Sequence, residues 1–349
     1  MTVTTADRST SVLRKGLLPG WFTGGAAAVA VLVTALVFLV MGWRSSAGFV
    51  ALAGLVFLVV QTAASARVEG RRRAVDRGVT MAVTTAFLIA LAPLVSVLLY
   101  TIKEGRHRFD GEFFTHSLRS IGARDAGGGA YHAIIGTLEQ VALATLICVP
   151  FGLLVSIYIV EYGRGRLAAT IRFFVDVMTG IPSIVAGLFV LSFWILGLHQ
   201  GYSGFAAALA LSVLMLPIIV RSSEEMLKLV PDSLREASLA LGVPRWKTIL
   251  RIVLPTALPG IVTGIMLAVA RVAGETAPVL LTAFGLASIN NDPFHGPQSS
   301  LPLYIFQQAG DAQQTAVNRA WTAALTIIIV VMVLNLLARL LTRRNRLQR

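Results

Sequence analysis

Residues 233–255 read SLREASLALGVPRWKTILRIVLP, a charged segment set between two apolar runs that are each long enough to cross a bilayer. Lipid gives charged side chains no compensation for lost water, so a hydrophobic chain that keeps such a segment between spans offers it to a soluble partner. Ser233-Leu234-Arg235-Glu236 matches a capping box, Gly242 fits the left-handed position after a helix, and Pro244 fits the first turn of a second helix. The spacing predicts two short helices meeting at a glycine. Leu234, Ala237, Ser238 and Leu241 then fall on one narrow face that suits another protein's groove.

Composition sets the class. Hydrophobic residues make up 56% of the chain and charged residues 13%, against roughly 45–50% and 25% in soluble domains, and the mean hydropathy is +0.76. The chain reads as an all-α integral membrane protein. Its net charge of +13 does not point to nucleic acid, because the basic residues flank apolar spans instead of forming one solvated face. Only 4 of the 30 basic residues are lysine, so arginine is preferred throughout and no single arginine is informative by type alone. Cys148, the one cysteine, lies in an apolar run and has no partner for an intrachain disulfide.

A helical span needs about 20 mainly apolar residues. Eight runs approach that, near 24–43, 46–66, 79–101, 133–159, 174–197, 203–220, 256–284 and 320–341. The first is too long for the apolar part of a signal peptide, and the second follows almost at once. These two form a tight hairpin around Arg44-Ser45-Ser46 with little internal polarity except Gln61. The hairpin reads as an accessory element on a six-span unit that begins near Val79. Arg8, Arg14 and Lys15, the arginines between 67 and 77, Arg164 and Arg166, the loop 221–255 and the arginines from Arg339 to Arg349 all share one side if both termini are cytoplasmic. The loop 102–132 falls on the other side, where Glu104, Asp110, Glu112 and Asp125 offset its basic residues.

Arginine at the centre of a span costs about 2.5–3.5 kcal/mol on insertion scales, so an intramembrane ion calls for a partner or a wet cavity. Arg271 lies in the seventh run, and Glu275 is expected one helical turn away on the same face. A structural ion pair and a transport path both fit this spacing. Thr276 adds a hydroxyl, and Gly274 and Pro278 allow a local bend. Gly180-Ile181-Pro182-Ser183 breaks the fifth run, so that freed carbonyls or Ser183 face a path or the break is a packing kink. Glu139 enters the fourth run beside Gln140, either as a path residue or as an interhelix hydrogen-bonding group. Arg172 and Asp176 are spaced as an interfacial pair, and Gly127-Gly128-Gly129 reads as a flexible hinge. The histidines show no metal-ligand spacing.

The complete pattern Glu236-Ala237-Ser238-x3-Gly242-x9-Ile252-x-Leu254-Pro255 resembles the EAA loop of bacterial ATP-binding cassette (ABC) importer permeases. Further stretches are similar to the permeases of the phosphate-specific transporter: Gly136-Thr137, Val149-Pro150-Phe151-Gly152, Glu161-Tyr162-Gly163 and Gly180 to Phe189. Ala270 to Pro278, Asn291-Asp292-Pro293 and Leu301 to Phe306 resemble the A-type subunit rather than the C-type, and the resemblance runs from about Val79 to the C-terminus. It implies an ABC type I importer permease domain of six spans over 79–349, with its core at 133–341 and a coupling loop at 221–255. The accessory hairpin and its basic loop occupy 1–78 outside it, for about eight transmembrane helices in all.

The resemblance also implies function. The coupling helix would dock in an ATPase subunit through Glu236, Ala237 and Gly242, with Ser238 at the motif's third position and Arg235 and Arg245 at the rim. Inorganic phosphate would pass Arg271 and Glu275. A guanidinium offers a tetrahedral oxyanion paired N–H donors, and Glu275 can accept a hydrogen bond from a protonated phosphate, which ionised sulfate cannot donate. The partners implied are a homologous C-type permease, two cytoplasmic ATPase subunits, an extracytoplasmic phosphate-binding protein and the lipid of a bacterial cytoplasmic membrane. No G-x-x-x-x-G-K-[ST] phosphate loop occurs, so ATP and Mg2+ would be held by the ATPase, and this chain would be a non-catalytic subunit. Rival readings are an importer of another oxyanion or phosphonate, a secondary carrier, which would show inverted repeats, and a non-transporting scaffold, which gives Arg271 and Glu275 no purpose.

Overall fold

A computed structural model describes residues 18–346 apart from Trp43 and Arg164, without the side chains of 46, 47 and 341–346. Arg8, Arg14, Lys15, Arg164 and Arg349, used above for orientation, lie outside the described residues. The chain forms two compact units, residues up to Leu99 and residues from Tyr100 onward. Among the described residues every regular element is helical.

The first unit holds α1 (Phe22–Met41), α2 (Ser46–Val68) and most of α3 (Arg71–Gly105). Ser45 starts α2 by accepting the Gly48 N–H at 3.1 Å. The seam between α1 and α2 is built from small and polar residues, the kind of contact that packs helices in lipid. Ala26, Ala30 and Thr34 are buried there, Phe38 meets Phe49 edge-on at 5.3 Å, and Gln61 donates to the Thr23 hydroxyl at 3.4 Å.

Beyond α2 the Glu69 carboxylate accepts from the Leu18 N–H at 2.9 Å, the Ser65 hydroxyl at 2.7 Å and Arg77 at 2.7 Å. These bonds, the Leu18 N–H first, hold its pKa below the ordinary 4.5. A depressed carboxylate stabilises the folded state fully above its unfolded value, and that stability is lost as pH falls through the depressed value. Hydrogen exchange at Leu18, taken relative to its intrinsic rate at each pH, is therefore expected to stay slow down to pH 4.5 and to quicken progressively below it. Glu69→Gln should quicken it already at neutral pH and remove the acid dependence.

The second unit contains α4 (Gly111–Thr115), α5 (Tyr131–Ile157, continued by a π turn to Tyr162), α6 (Arg166–Thr179) and α7 (Ser183–Val190, continued by a π turn to Gly197). α8 (Gly204–Lys228) and α9 (Asp232–Ala240) follow, and α10 (Arg245–Thr248) runs through a π turn into α11 (Leu254–Ala273). α12 (Ala277–Thr282), α13 (Leu301–Ala309) and α14 (Gln314–Arg346) complete it. Seven helical stretches among the described residues are long and apolar enough to span a membrane, and α6 with α7 makes an eighth if that bent pair is one span. The chain is a multi-pass membrane protein.

The fifth run, read as one span over 174–197, is two helices meeting at 106°. Pro182 lacks an N–H and pushes Ile181 out of the helical region, so α6 stops at Thr179 and the chain restarts at Ser183 in a new direction. α8 is the central helix, with 67% of its apolar window buried. Its alanines at 206, 207, 208 and 210 let α5, α7, α11 and α12 close around it.

Candidate functional site

α9 is placed by its flanking prolines and one glycine. Pro231 ends α8 and stands at the N-cap of α9 in extended conformation, which puts Ser233 inside the helix. The capping box therefore does not form, and neither Ser233 nor Glu236 caps the helix. The C-terminal expectation does hold. Gly242 has φ +76°, and the Gly242 and Val243 N–H groups bond the Leu239 and Ser238 carbonyls at 2.9 and 3.2 Å, a Schellman closure. Pro244 is the N-cap of α10, one residue earlier than expected, and α10 continues into α11 instead of being a second short helix.

The expected docking face is divided by the structure. Glu236, Ala237, Gly242 and Arg245 are exposed, and Leu241 is 83% exposed. Ser238 is buried with its hydroxyl 2.8 Å from that of Thr248, tying α9 to α10. Arg235 does not stand at a rim. Its guanidinium turns inward, with Nε and one terminal nitrogen on a Glu161 carboxylate oxygen at 3.1 and 2.9 Å. The remaining donors reach the Val230 carbonyl at 2.5 Å, the Leu227 carbonyl at 2.9 Å and Asp232 at 3.0 Å. One guanidinium thus fastens α9 to the ends of α8 and α5. A cleft of about 410 Å³ opens beside it, lined by Glu161, Lys228, Asp232, Arg235, Arg245 and Thr248 among others.

Nearby, Arg172 and Asp176 do not pair with each other. Arg172 bonds the buried Glu224 at 3.1 Å, and Asp176 faces Arg221 at 3.7 Å, so both fasten α6 to α8. The four-residue spacing was legible, but the geometrically better partners lie on another helix.

The seventh run is broken as well. α11 ends at Ala273, Gly274 caps it, and α12 begins at Ala277 with Pro278 in its first turn. Arg271 and Glu275 therefore lie on either side of a helix end, not on one helical face, and no ion pair joins them. Arg271 is exposed at the end of α11. Glu275 is half-buried and borders a small cleft with Thr137, Gln140 and Ser300. Thr276 is the N-cap of α12. The two broken segments meet where Gly187 of α7 lies against Pro278 of α12, so close that a Cβ at 187 would stand 2.7 Å from the Pro278 Cα. Ser183 and Pro182 open α7, and Gly180 caps α6.

Glu139 is half-buried, with one of its carboxylate oxygens engaged. It accepts a hydrogen bond from Gln298 at 2.5 Å. Gln298 was not singled out in the sequence, although it is a polar residue just before an apolar helix.

Arg319 was missed too. It is 1% exposed and donates to the carbonyls of Gly122, Ala123, Asp125 and Gly127 and to the Gln308 side chain at 2.8–3.5 Å. With the Glu112 carboxylate accepting the Gly128 N–H at 2.8 Å, this packs the glycine run into a bonded loop, not a flexible hinge.

A helical bundle with a short polar elbow fastened between spans, and with one bent span, α6 with α7, packed against the short helix α12 that follows α11, is the architecture of a membrane transport permease. Residues 148–347 match the family model for the binding-protein-dependent transport system inner membrane component, and the chain belongs to that family. It is 51% identical over 282 residues, 79% of this chain and 92% of the relative, to the phosphate transport system permease protein PstA 1 of Mycobacterium tuberculosis. Identity is 49% over 269 residues with the PstA protein of Mycobacterium leprae (76% and 88% covered) and 39% over 276 residues with that of Yersinia pestis (79% and 92% covered). In fold it is similar to a bacterial alginate ABC transporter in complex with its alginate-bound periplasmic protein. The TM-score there is 0.56 at 15% identity, covering 77% of this chain and 95% of that one. It is similar also to the inward-facing methionine ABC transporter MetNI, with a TM-score of 0.50 at 23% identity, covering 60% and 94%.

Proposed function

We propose that the chain is the permease subunit of an ATP-driven inorganic phosphate importer in the bacterial cytoplasmic membrane, with both termini cytoplasmic. It forms half of a translocation path with a homologous C-type permease, above two ATPase subunits that bind ATP and Mg2+ and below an extracytoplasmic phosphate-binding protein. The observation that carries the reading is Arg271, an exposed guanidinium at the broken end of a span with no ion-pair partner among the described residues. Within a membrane such a charge needs an anion or water. Phosphate accepts its paired N–H donors, and the similarity to phosphate permeases supports that anion.

Glu275 and Thr276 follow directly after the break, where Glu275 can accept from a protonated phosphate oxygen. Glu236, Ala237 and Gly242 offer the exposed docking surface to the ATPase, with Arg245 beside them. Nucleotide-driven closure of the ATPase moves α9, Arg235 carries that motion into α8 and α5, and Arg271 is opened to one side and then the other. In a reconstituted complex, Arg271→Ala with Glu275→Gln is expected to lower ATP-dependent phosphate uptake by about a hundredfold, the worth of two charge-assisted hydrogen bonds. Subunit assembly should be unchanged, and normal uptake by the double variant would refute the path assignment.

A further inference from the structure

We infer that Gln298, held between Glu139 and Gln140, is a positioning residue that sets the wall opposite Glu275, an inference that rests on the path reading above. The chain leaves α12, loops outward and returns to α13, and Gln298 closes that excursion. Its side chain is 1% exposed and fully used. Nε2 donates to Glu139 at 2.5 Å and to the Asn290 carbonyl at 3.2 Å, while Oε1 accepts from Gln140 at 3.0 Å. Its main-chain N–H bonds the Ala283 carbonyl at 3.1 Å, so one residue joins α5, the tip of the loop and the end of α12.

Neighbouring bonds press the same seam together. Gln140 also donates to the Ser299 carbonyl at 3.2 Å, and the Leu301 N–H donates to Thr137 at 2.7 Å. A Cβ at Gly136 would overlap the Ser299 carbonyl oxygen, and one at Gly204 would overlap the Gln298 amide oxygen. Thr137, Gln140 and Ser300, which this seam places, border the cleft that Glu275 also borders. The amide at 298 meets all three demands at once, its NH2 donating to a carboxylate and a carbonyl and its oxygen accepting from a second amide. In this arrangement Glu139 acts through Gln298, by holding its amide.

The test compares variants in the complete reconstituted complex. Gln298→Ala is expected to raise the KM for phosphate uptake about tenfold, the equivalent of one lost charge-assisted hydrogen bond, with assembly retained. Glu139→Gln keeps an acceptor oxygen for Gln298 and should stay within about threefold of the unaltered complex. Gln140→Ala, which loses two of the bonds but leaves those of Gln298 to Glu139 and Asn290, provides the same comparison if Gln298→Ala does not fold. Hydrogen exchange over 284–303 supplies a readout that needs no substrate. It should quicken in Gln298→Ala, stay slow in Glu139→Gln, and stay slow in Arg271→Ala with Glu275→Gln. An unchanged KM in Gln298→Ala, or a loss in Glu139→Gln as large as in Gln298→Ala, overturns the latch. An unaltered complex that takes up no phosphate overturns the path reading instead, and the exchange rates then still decide whether Gln298 holds the seam.

Discussion

Arg235→Ala is expected to separate ATP hydrolysis from transport: the assembled complex keeps hydrolysing ATP within about twofold while phosphate uptake falls about tenfold or more. Arg235 is the guanidinium that joins α9 to Glu161 at the end of α5 and to the Leu227 and Val230 carbonyls at the end of α8. The exposed surface proposed above to dock on the ATPase, Glu236 and Ala237 on α9 with Gly242 just after it, is untouched by the change. Removing one member of a largely buried pair strands the other, a loss of about 3–5 kcal/mol, and here the stranded group is Glu161. The helix would still dock, but its displacement would no longer reach the spans. Arg235→Lys should recover little, because a point ammonium cannot reach a carboxylate oxygen and two carbonyls from one planar fork. Glu161→Gln keeps an acceptor and should give a milder defect. Paired measurement of ATP hydrolysis and uptake in proteoliposomes checks this, and equal losses in both would show that Arg235 serves docking instead of transmission.

Arg319→Met is expected to cost about 3 kcal/mol or more of stability. It leaves the carbonyls of residues 122, 123, 125 and 127 and the Gln308 side chain without their shared donor. Methionine fills the space but satisfies none of those acceptors, so the penalty comes from desolvated carbonyls and not from a cavity. The loop between α4 and α5 should become open to protease under conditions where the unaltered protein resists, and the thermal midpoint of the purified protein should fall. Arg319→Lys should resemble Arg319→Met more than the unaltered chain, since three donors at one point cannot serve acceptors from five residues. Unchanged protease resistance in Arg319→Met would show that the loop is held instead by its other bonds, those of Glu112 to the Gly128 N–H and of Arg108 to the Gly128 carbonyl at 3.0 Å among them.

The residues legible in the sequence are those whose constraint is local. Lipid demands about 20 apolar residues per span, and six spans and one bent pair stand where the runs were read, whereas the seventh span, Arg245–Ala273, starts earlier than its run and ends at the Gly274 break. Gly242 was legible because only a left-handed residue can close that helix end, and Pro182 because a missing N–H ends a helix wherever it occurs. The angle at the break was not legible, since 106° is set by how α7 packs on α8 and α12.

Partners chosen across the fold were also hidden. Arg235 is 74 positions from Glu161, and Gln140 is 158 from Gln298. Local spacing misled where a better partner existed in three dimensions, as with Arg172 and Asp176, or where a helix ended between the two residues, as with Arg271 and Glu275. The capping box failed for a related reason: Pro231 claimed the N-cap first. Functional motifs were read from short contiguous segments, whereas the bonds that give those segments mechanical purpose join distant ones.

The most direct test of the central claim is uptake of radiolabelled phosphate into proteoliposomes that contain this chain, its partner permease and the ATPase, with the phosphate-binding protein added on the opposite side from ATP. Uptake is expected to require ATP and this chain, to resist competition by sulfate, and to fall about a hundredfold when Arg271 and Glu275 are replaced together. Phosphate entry that proceeds without ATP, or equal competition by sulfate, would contradict the claim.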